Sequence, residues 1–244
     1  MNVGAGLHAH GLGLDDRVTL DAAARSDVGR RRKVNEDSVL AGKRVFLVAD
    51  GMGGHEAGDR ASAAAVQAFA ELATIDRGLT ADEVLASLDD ARAAVAAVAR
   101  GTERGAGCTL TGVALIEHEG LPHWYVLNVG DSRVYQHSGL SLLQLTVDHS
   151  LQAEQAEAGA PGAASIPRNV ITRALGSDDD RHDAWLLPVR QGMRLLLCSD
   201  GLTTELSDEQ ISAVLAVGGR AGSVADELIR FACEAGGRDN VSVV

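Results

Sequence analysis

Apolar residues are distributed along the chain in runs, in helical spacing and in alternation, and the change between these patterns marks the elements. The run Val45-Phe46-Leu47-Val48-Ala49 ends abruptly in Asp50-Gly51-Met52-Gly53-Gly54-His55. From Glu56 to about Ala73 apolar positions recur at Ala65, Val66, Phe69 and Leu72. A buried strand, a tight turn and a helix are predicted. Thr80 and Glu83 form a capping box, and Val84, Leu85, Leu88, Val95 and Val98 then share one face of a second helix that ends near Gly101.

The middle of the chain changes to strand patterning. Thr109 to Glu117 and His123 to Val129 read as strands around a Glu119-Gly120 turn. Asn128 to Arg133 interrupts the second, Val134-Tyr135 resumes it, and Ser138-Gly139 turns into Leu140 to Leu145. Connections this short imply antiparallel neighbours, not a βαβ sheet. From Thr146 to about Asn169 a short helix and a flap are expected, followed by strands at Trp185 to Val189 and Met193 to Cys198. Ser207 with Gln210 and Ser223 with Asp226 read as two more capping boxes, and Gly236-Gly237 stops the last helix. Val241 to Val244 begins a strand. Val18 to Ala24 reads as an edge strand, and residues 1–16 as a weakly ordered extension ahead of a single domain over 17–244 whose last strand is cut short. Two helices before and two after a strand-rich middle fit an α+β, four-layer α-β-β-α sandwich: two stacked antiparallel sheets flanked by helix pairs.

Composition narrows the function classes. The net charge of −12 argues against nucleic acid or anionic lipid as a partner, and no apolar run is long enough to span a bilayer. Cys108, Cys198 and Cys233 are widely spaced and odd in number, which fits buried thiols in a reducing cytoplasm better than a disulfide framework or a zinc site.

The acids supply the candidate chemistry. Glu36-Asp37, Asp50, Asp131, Asp200 and Asp239 all lie beside strand ends or tight turns. Asp50 and Asp200 each end an apolar strand and precede glycine. Read singly, each fits a helix cap or a turn as well as a ligand. Converging carboxylates would repel one another and take up protons unless cations sat between them. Oxygen ligands without His or Cys suit Mg²⁺ or Mn²⁺, admit Ca²⁺ and disfavour zinc. The run Arg30-Arg31-Arg32-Lys33, followed at once by acids, reads alone as a solvated loop.

Taken together, the motifs resemble a known family. Ser26-Asp27-Val28-Gly29 with Asn35-Glu36-Asp37-Ser38, Asp50 to His55, Asn128 to Arg133, Leu145 to Ser150, Ile171 to Gly176, Ser199 to Leu202 and Asp239 to Val244 resemble, in order, the signatures of bacterial metal-dependent serine/threonine protein phosphatases, the type 2C or PPM family. The resemblance spans about Arg25 to Val244. It implies hydrolysis of phosphoserine and phosphothreonine in proteins by a hydroxide shared between two ions, Mn²⁺ or Mg²⁺, bridged by Asp50 with the Gly51 carbonyl beside it. Asp200 and Asp239 complete the ligands, Glu36 and Asp37 act partly through water, and Asp131 with Asp200 holds a third, weaker ion. Arg32 corresponds to the phosphate-binding arginine, a bidentate role lysine does not fill. The implied partners are phosphorylated proteins, targets of a bacterial kinase, with the phosphatase a monomer.

Three departures accompany the resemblance. Met52 stands where some members carry a histidine proposed as general acid, and nearby His55 is read as a turn-stabilising residue. Cys108 replaces a more usual threonine. The short last strand is expected to weaken the edge that carries Asp239. The alternatives are a non-catalytic phosphoprotein-binding module of the same fold and a small-molecule phosphatase; the complete acid set favours the protein phosphatase.

Overall fold

The computed structural model describes residues 18–53, 57–103, 105–139 and 141–244, and 5–8 by backbone alone. In chain order the elements are β1 (Ala5–His8), β2 (Thr19–Ala22), β3 (Arg25–Asp27), β4 (Asp37–Ala41), β5 (Val45–Gly53), α1 (Gly58–Gln67), α2 (Ala70–Thr74) and α3 (Ala81–Arg100). There follow β6 (Ala106–Cys108), β7 (Leu110–His118), β8 (Leu121–Val129), β9 (Arg133–Ser138), β10 (Ser141–Gln144) and α4 (Leu151–Glu157). The chain continues through β11 (Asp183–Pro188), β12 (Arg194–Cys198), α5 (Asp200–Glu205), α6 (Asp208–Val217), α7 (Ala221–Ala235) and β13 (Val241–Val243).

Two antiparallel sheets form the centre, one ordered β11-β8-β7-β5-β4 with β6 joined to β5, the other β10-β9-β12-β13-β3. Phe46 and Val48 point from β5 into the space between the sheets, where they meet Val113, Leu115, Trp124, Val126, Val134 and Leu197. Val45, Leu47 and Ala49 alternate to the other face and pack beneath α1 and α3 against Phe69, Leu88 and Val95. A strand buried on both faces needs an unbroken apolar run, which is why residues 45–49 show no alternation. A third apolar layer joins Tyr135, Leu196, Cys198 and Val241 to Ile211, Leu215 and Leu228 on α6 and α7. Each such side chain contributes about 1.5–3 kcal/mol by leaving water. The expected four-layer sandwich is therefore the observed one.

Local expectations fare unevenly. Thr80 caps α3 as a complete capping box, and Ser207 does the same for α6. The helix expected to run to Ala73 instead breaks after Gln67: the Phe69 amide bonds to Val66, three residues back, and the tightened turn sends Phe69 into the core. The box at Ser223 is not used, because α7 starts two residues earlier, where its Ala221 amide donates to Asp21. Asp226 faces Arg25 instead. Asn128 to Arg133 is not an interruption within one sheet; Gly130-Asp131-Ser132 carries the chain from β8 in the first sheet to β9 in the second. β13 is not an edge strand: it lies between β12 and β3, with the Val244 amide and carbonyl both bonded to Leu197. Within 1–16, read as weakly ordered, Ala5–His8 pairs with Thr19–Ala22; the remaining residues of that stretch lie outside the described ones.

Candidate metal centre

The predicted acids come from both sheets and meet at one end of the sandwich. Asp37 begins β4 and is the cross-strand partner of Asp50 on β5. Asp131 is buried in the crossover between the sheets, Asp200 opens α5 straight after β12, and Asp239 precedes β13. Their mutual influence shows that they converge. Burial, and then the charges of Asp37, Asp200, Asp131 and Asp239, push the Asp50 carboxyl well above the ordinary carboxylate range. Burial and then the charge of Asp239 raise Asp200, while a side-chain hydrogen bond with Asp50 opposes the rise. Burial, followed by Asp200 and Asp148, pushes Asp131 up to about 7.

The backbone around these acids admits no extra atoms. A Cβ on Gly51 would stand 2.1 Å from the Gly58 carbonyl oxygen and 2.5 Å from that of Glu36, whose carbonyl also accepts the Gly51 amide. On Gly201 it would stand 1.9 Å from the Asn240 carbonyl oxygen. These glycines let β5 and α5 approach their neighbours at main-chain distance, and so set the acids close together.

Arg32 lies at the rim. Its Nη2 donates to Asp239 Oδ2 at 2.7 Å, and nearly half of its side chain remains exposed. The bond to Asp239 keeps the guanidinium firmly charged. The loop bearing it is fixed by Asn240, whose Oδ1 accepts the Glu36 amide at 2.9 Å while its Nδ2 donates to the carbonyls of Val28 and Val34.

The residues present fit divalent ions. Every predicted donor is oxygen, the charges are mutually repulsive, and the buried Asp37 Oδ1 has no hydrogen-bond partner. Among the described residues no three acidic, imidazole or thiol groups close on a single point, so the acids share a region and not a finished cage. A pair of hard ions, with carbonyl and water ligands making up the coordination, suits such an open set.

Residues 30–230 match the sequence profile of Protein phosphatase 2C. The chain belongs to the protein phosphatase 2C family. It is 41% identical to the serine/threonine protein phosphatase PstP of Mycobacterium tuberculosis over 241 residues, covering 93% of this chain but only 45% of PstP. The chain thus spans about half the length of that relative. It is 32% identical to protein phosphatase PhpP of Streptococcus pneumoniae, covering 92% of this chain and 96% of PhpP. Among solved structures, the PstP catalytic domain in complex with two manganese ions superposes with a TM-score of 0.80 at 35% identity, covering 91% of this chain and 94% of that one.

In this protein phosphatase 2C chain the acids rest on buried hydroxyls that pattern reading passes over. Ser199 Oγ donates to Asp37 Oδ2 at 2.8 Å and accepts the Ser242 amide at 3.0 Å, tying β4 of one sheet to β12 and β13 of the other. Thr109 Oγ1 accepts the Asp50 amide at 3.0 Å and lies 2.8 Å from Ser132 Oγ, linking Asp50 to the Asp131 crossover. His149 Nδ1 accepts the Gly130 amide at 3.1 Å, and its Nε2 lies 3.1 Å from Asp183 Oδ2 and 3.3 Å from Arg173 Nη1. Ser199, Ser132 and His149 lie within family motifs; Thr109, beside Cys108, lies in none of them. Cys108, Cys198 and Cys233 are buried and unpaired, and burial pushes the Cys108 thiol upward, as expected of core residues. Met52 pairs with Gly107 in β5 and β6 and brings no titratable group. His55 lies outside the described residues.

Proposed function

We propose that this chain hydrolyses phosphoserine and phosphothreonine in proteins, using two Mn²⁺ or Mg²⁺ ions and a third, weaker one. The observation that carries the reading is the convergence of Asp37, Asp50, Asp131 and Asp200, each raised by burial and by neighbouring carboxylate charge. The manganese-bound PstP domain supports the choice of ion. When bound, the ions supply a water acidic enough to attack at neutral pH and positive charge for the phosphoryl oxygens.

The chain's own groups then divide the work. Asp50, the Gly51 carbonyl, Asp200 and Asp239 would hold the two ions, Glu36 and Asp37 would act partly through water, and Asp131 with Asp200 would take the third ion. Arg32 keeps one nitrogen on Asp239 and turns its exposed N–H groups to two phosphoryl oxygens. Met52 has no proton to give, so the leaving serine or threonine oxygen would take its proton from a metal-bound water or another group. The substrates are phosphoproteins that a serine/threonine kinase supplies, and a monomer suffices because every proposed ligand belongs to one chain. No described helix is long and apolar enough to cross a membrane, and three buried, unpaired cysteines suit the cytoplasm.

The test is turnover of an aryl phosphate and a phosphothreonine peptide with Mn²⁺, with chelator, and by Asp200→Asn. Chelation and the substitution are each expected to cost at least about 100-fold in kcat/KM. Full activity in chelator, or an unaffected variant, overturns the two-metal reading. Peptide binding without turnover assigns the chain to phosphoprotein recognition instead.

A further inference from the structure

Only Arg32 of the basic run is used by the proposed chemistry. Arg31 and Lys33 are exposed, and among the described residues neither makes an ion pair or hydrogen bond. Arg30 reaches Asp27 at 3.3 Å, with more than half of its side chain in solvent. Arg60, Arg100, Arg168, Arg190 and Arg220 are likewise exposed without an ion pair among the described residues, so what sets Arg31 and Lys33 apart is their position on either side of Arg32. In a chain of net charge −12, the two cations that flank Arg32 are left uncompensated at the rim of the acidic centre.

The loop that carries them is held in place by its main chain. The Arg30 amide donates to the Gly237 carbonyl at 2.6 Å, and Asn240 Nδ2 holds the carbonyls of Val28 and Val34, on either side of the run, at 3.0 and 2.9 Å. Gly29, at φ +80, lies so close to Asp239 that a Cβ would stand 2.1 Å from its carbonyl oxygen. The loop therefore keeps one position against Asp239 whatever its side chains do. Neighbouring Cα atoms are about 3.8 Å apart, so a phosphoryl group on Arg32 has Arg31 and Lys33 within side-chain reach of the residues that flank it in a substrate.

We propose that Arg31 and Lys33 form a basic rim that selects phosphorylated segments carrying a second anionic group, a carboxylate or another phosphate, within a few residues of the scissile phosphate. The proposal rests on the phosphatase reading above. Rim charges in water act through encounter and weak pairing, and salt screens them.

The experiment compares three phosphothreonine peptides, with neutral flanks, with Asp/Glu flanks and with a second phosphate, on the wild type and on Arg31→Gln/Lys33→Gln. At low salt the wild type is expected to favour an anionic flank by about five- to tenfold in kcat/KM, and the double variant by less than about twofold. Turnover of an aryl phosphate, which has no flanks, stays within about twofold in the variant, and high salt erases the preference. A preference for only one anionic peptide assigns the rim to that chemistry. Equal turnover of all peptides by the wild type, or an undiminished preference in the variant, overturns the proposal. A variant that loses aryl phosphate turnover overturns it too, by moving these residues into the catalytic machinery. Peptide binding to Asp200→Asn, followed by fluorescence anisotropy, separates the two readings: equal affinities for neutral and anionic peptides sink the rim even where turnover is intact. Failure to turn over the aryl phosphate sinks the phosphatase reading while the affinities still judge the rim.

Discussion

Ser199 shows how much of the centre depends on a residue with no charge of its own. Its hydroxyl serves Asp37 on one side and the Ser242 amide on the other, and the residue is fully buried. Asp37 already has one oxygen without a partner, so Ser199→Ala leaves its carboxylate with still less support. A loss of about 1–3 kcal/mol in stability is expected from the buried polar partners left unsatisfied. Metal affinity should fall by about 10–100-fold, as for other residues that orient a ligand. Urea unfolding in chelator and Mn²⁺ titration of activity measure the two separately; a variant unchanged in both would show that Asp37 is positioned by the strand alone. The acids themselves are legible in the sequence because a carboxylate at the end of an apolar strand breaks the pattern. The supporting roles of Ser199 and Thr109 are not, since a hydroxyl at a strand end looks like any other small residue until its partner, far away in sequence, is known.

At the scale of elements, legibility follows the range of the interaction that fixes each boundary. α3 is read almost to the residue because its cap is local: Thr80 Oγ1 accepts the Glu83 amide, Glu83 accepts the Thr80 amide, and hydrogen bonds from Arg77 and then the Thr80 amide hold the Glu83 carboxyl down at about 2. Thr80→Ala should cost about 1 kcal/mol, seen as a lower urea midpoint with an unchanged slope. A shift within error would mean that the core residues Val84, Leu88 and Val95 hold the helix start without the cap. α7 is misread for the opposite reason, because its first amide is satisfied by Asp21, 200 residues earlier. The Asp131 crossover is misread likewise: a turn within a hairpin and a step between two sheets use the same Gly-Asp chemistry, and only the positions of β8 and β9 in different sheets distinguish them.

For the whole molecule, the site sets a pH dependence that metal reverses. Burial pushes Asp37 up to about 7, against hydrogen bonds from Ser242 and Ser199, and Asp131 also rises to about 7. Between about pH 4 and 7 these two acids therefore hold more protons in the metal-free folded chain than in the unfolded one, so the stability they contribute is greatest at the acid end of that window and is lost as pH rises through 7. Bound cations favour the charged carboxylates and compete with those protons. Mn²⁺ at 100 times its dissociation constant should restore about 2.7 kcal/mol at pH 8 and much less at pH 5. Unfolding curves at both pH values, with Mn²⁺ and with chelator, check this; equal stabilisation at the two would contradict acids that change protonation on binding the ion.

The placement of Asp37 and Asp50 on one sheet, and of Asp200 and Asp239 beside strands of the other, has a consequence for how the protein is made. The ribosome delivers Asp50 roughly 190 residues before Asp239, which at ~5–20 residues per second is an interval on the order of ten to forty seconds. Asp131 and Asp200 emerge within that interval and Asp239 closes it, and β13, which belongs in the middle of its sheet, is the last described strand to emerge. The second sheet gains its strand between β12 and β3 only then, so closure of that sheet and arrival of Asp239 in the ion-binding set coincide.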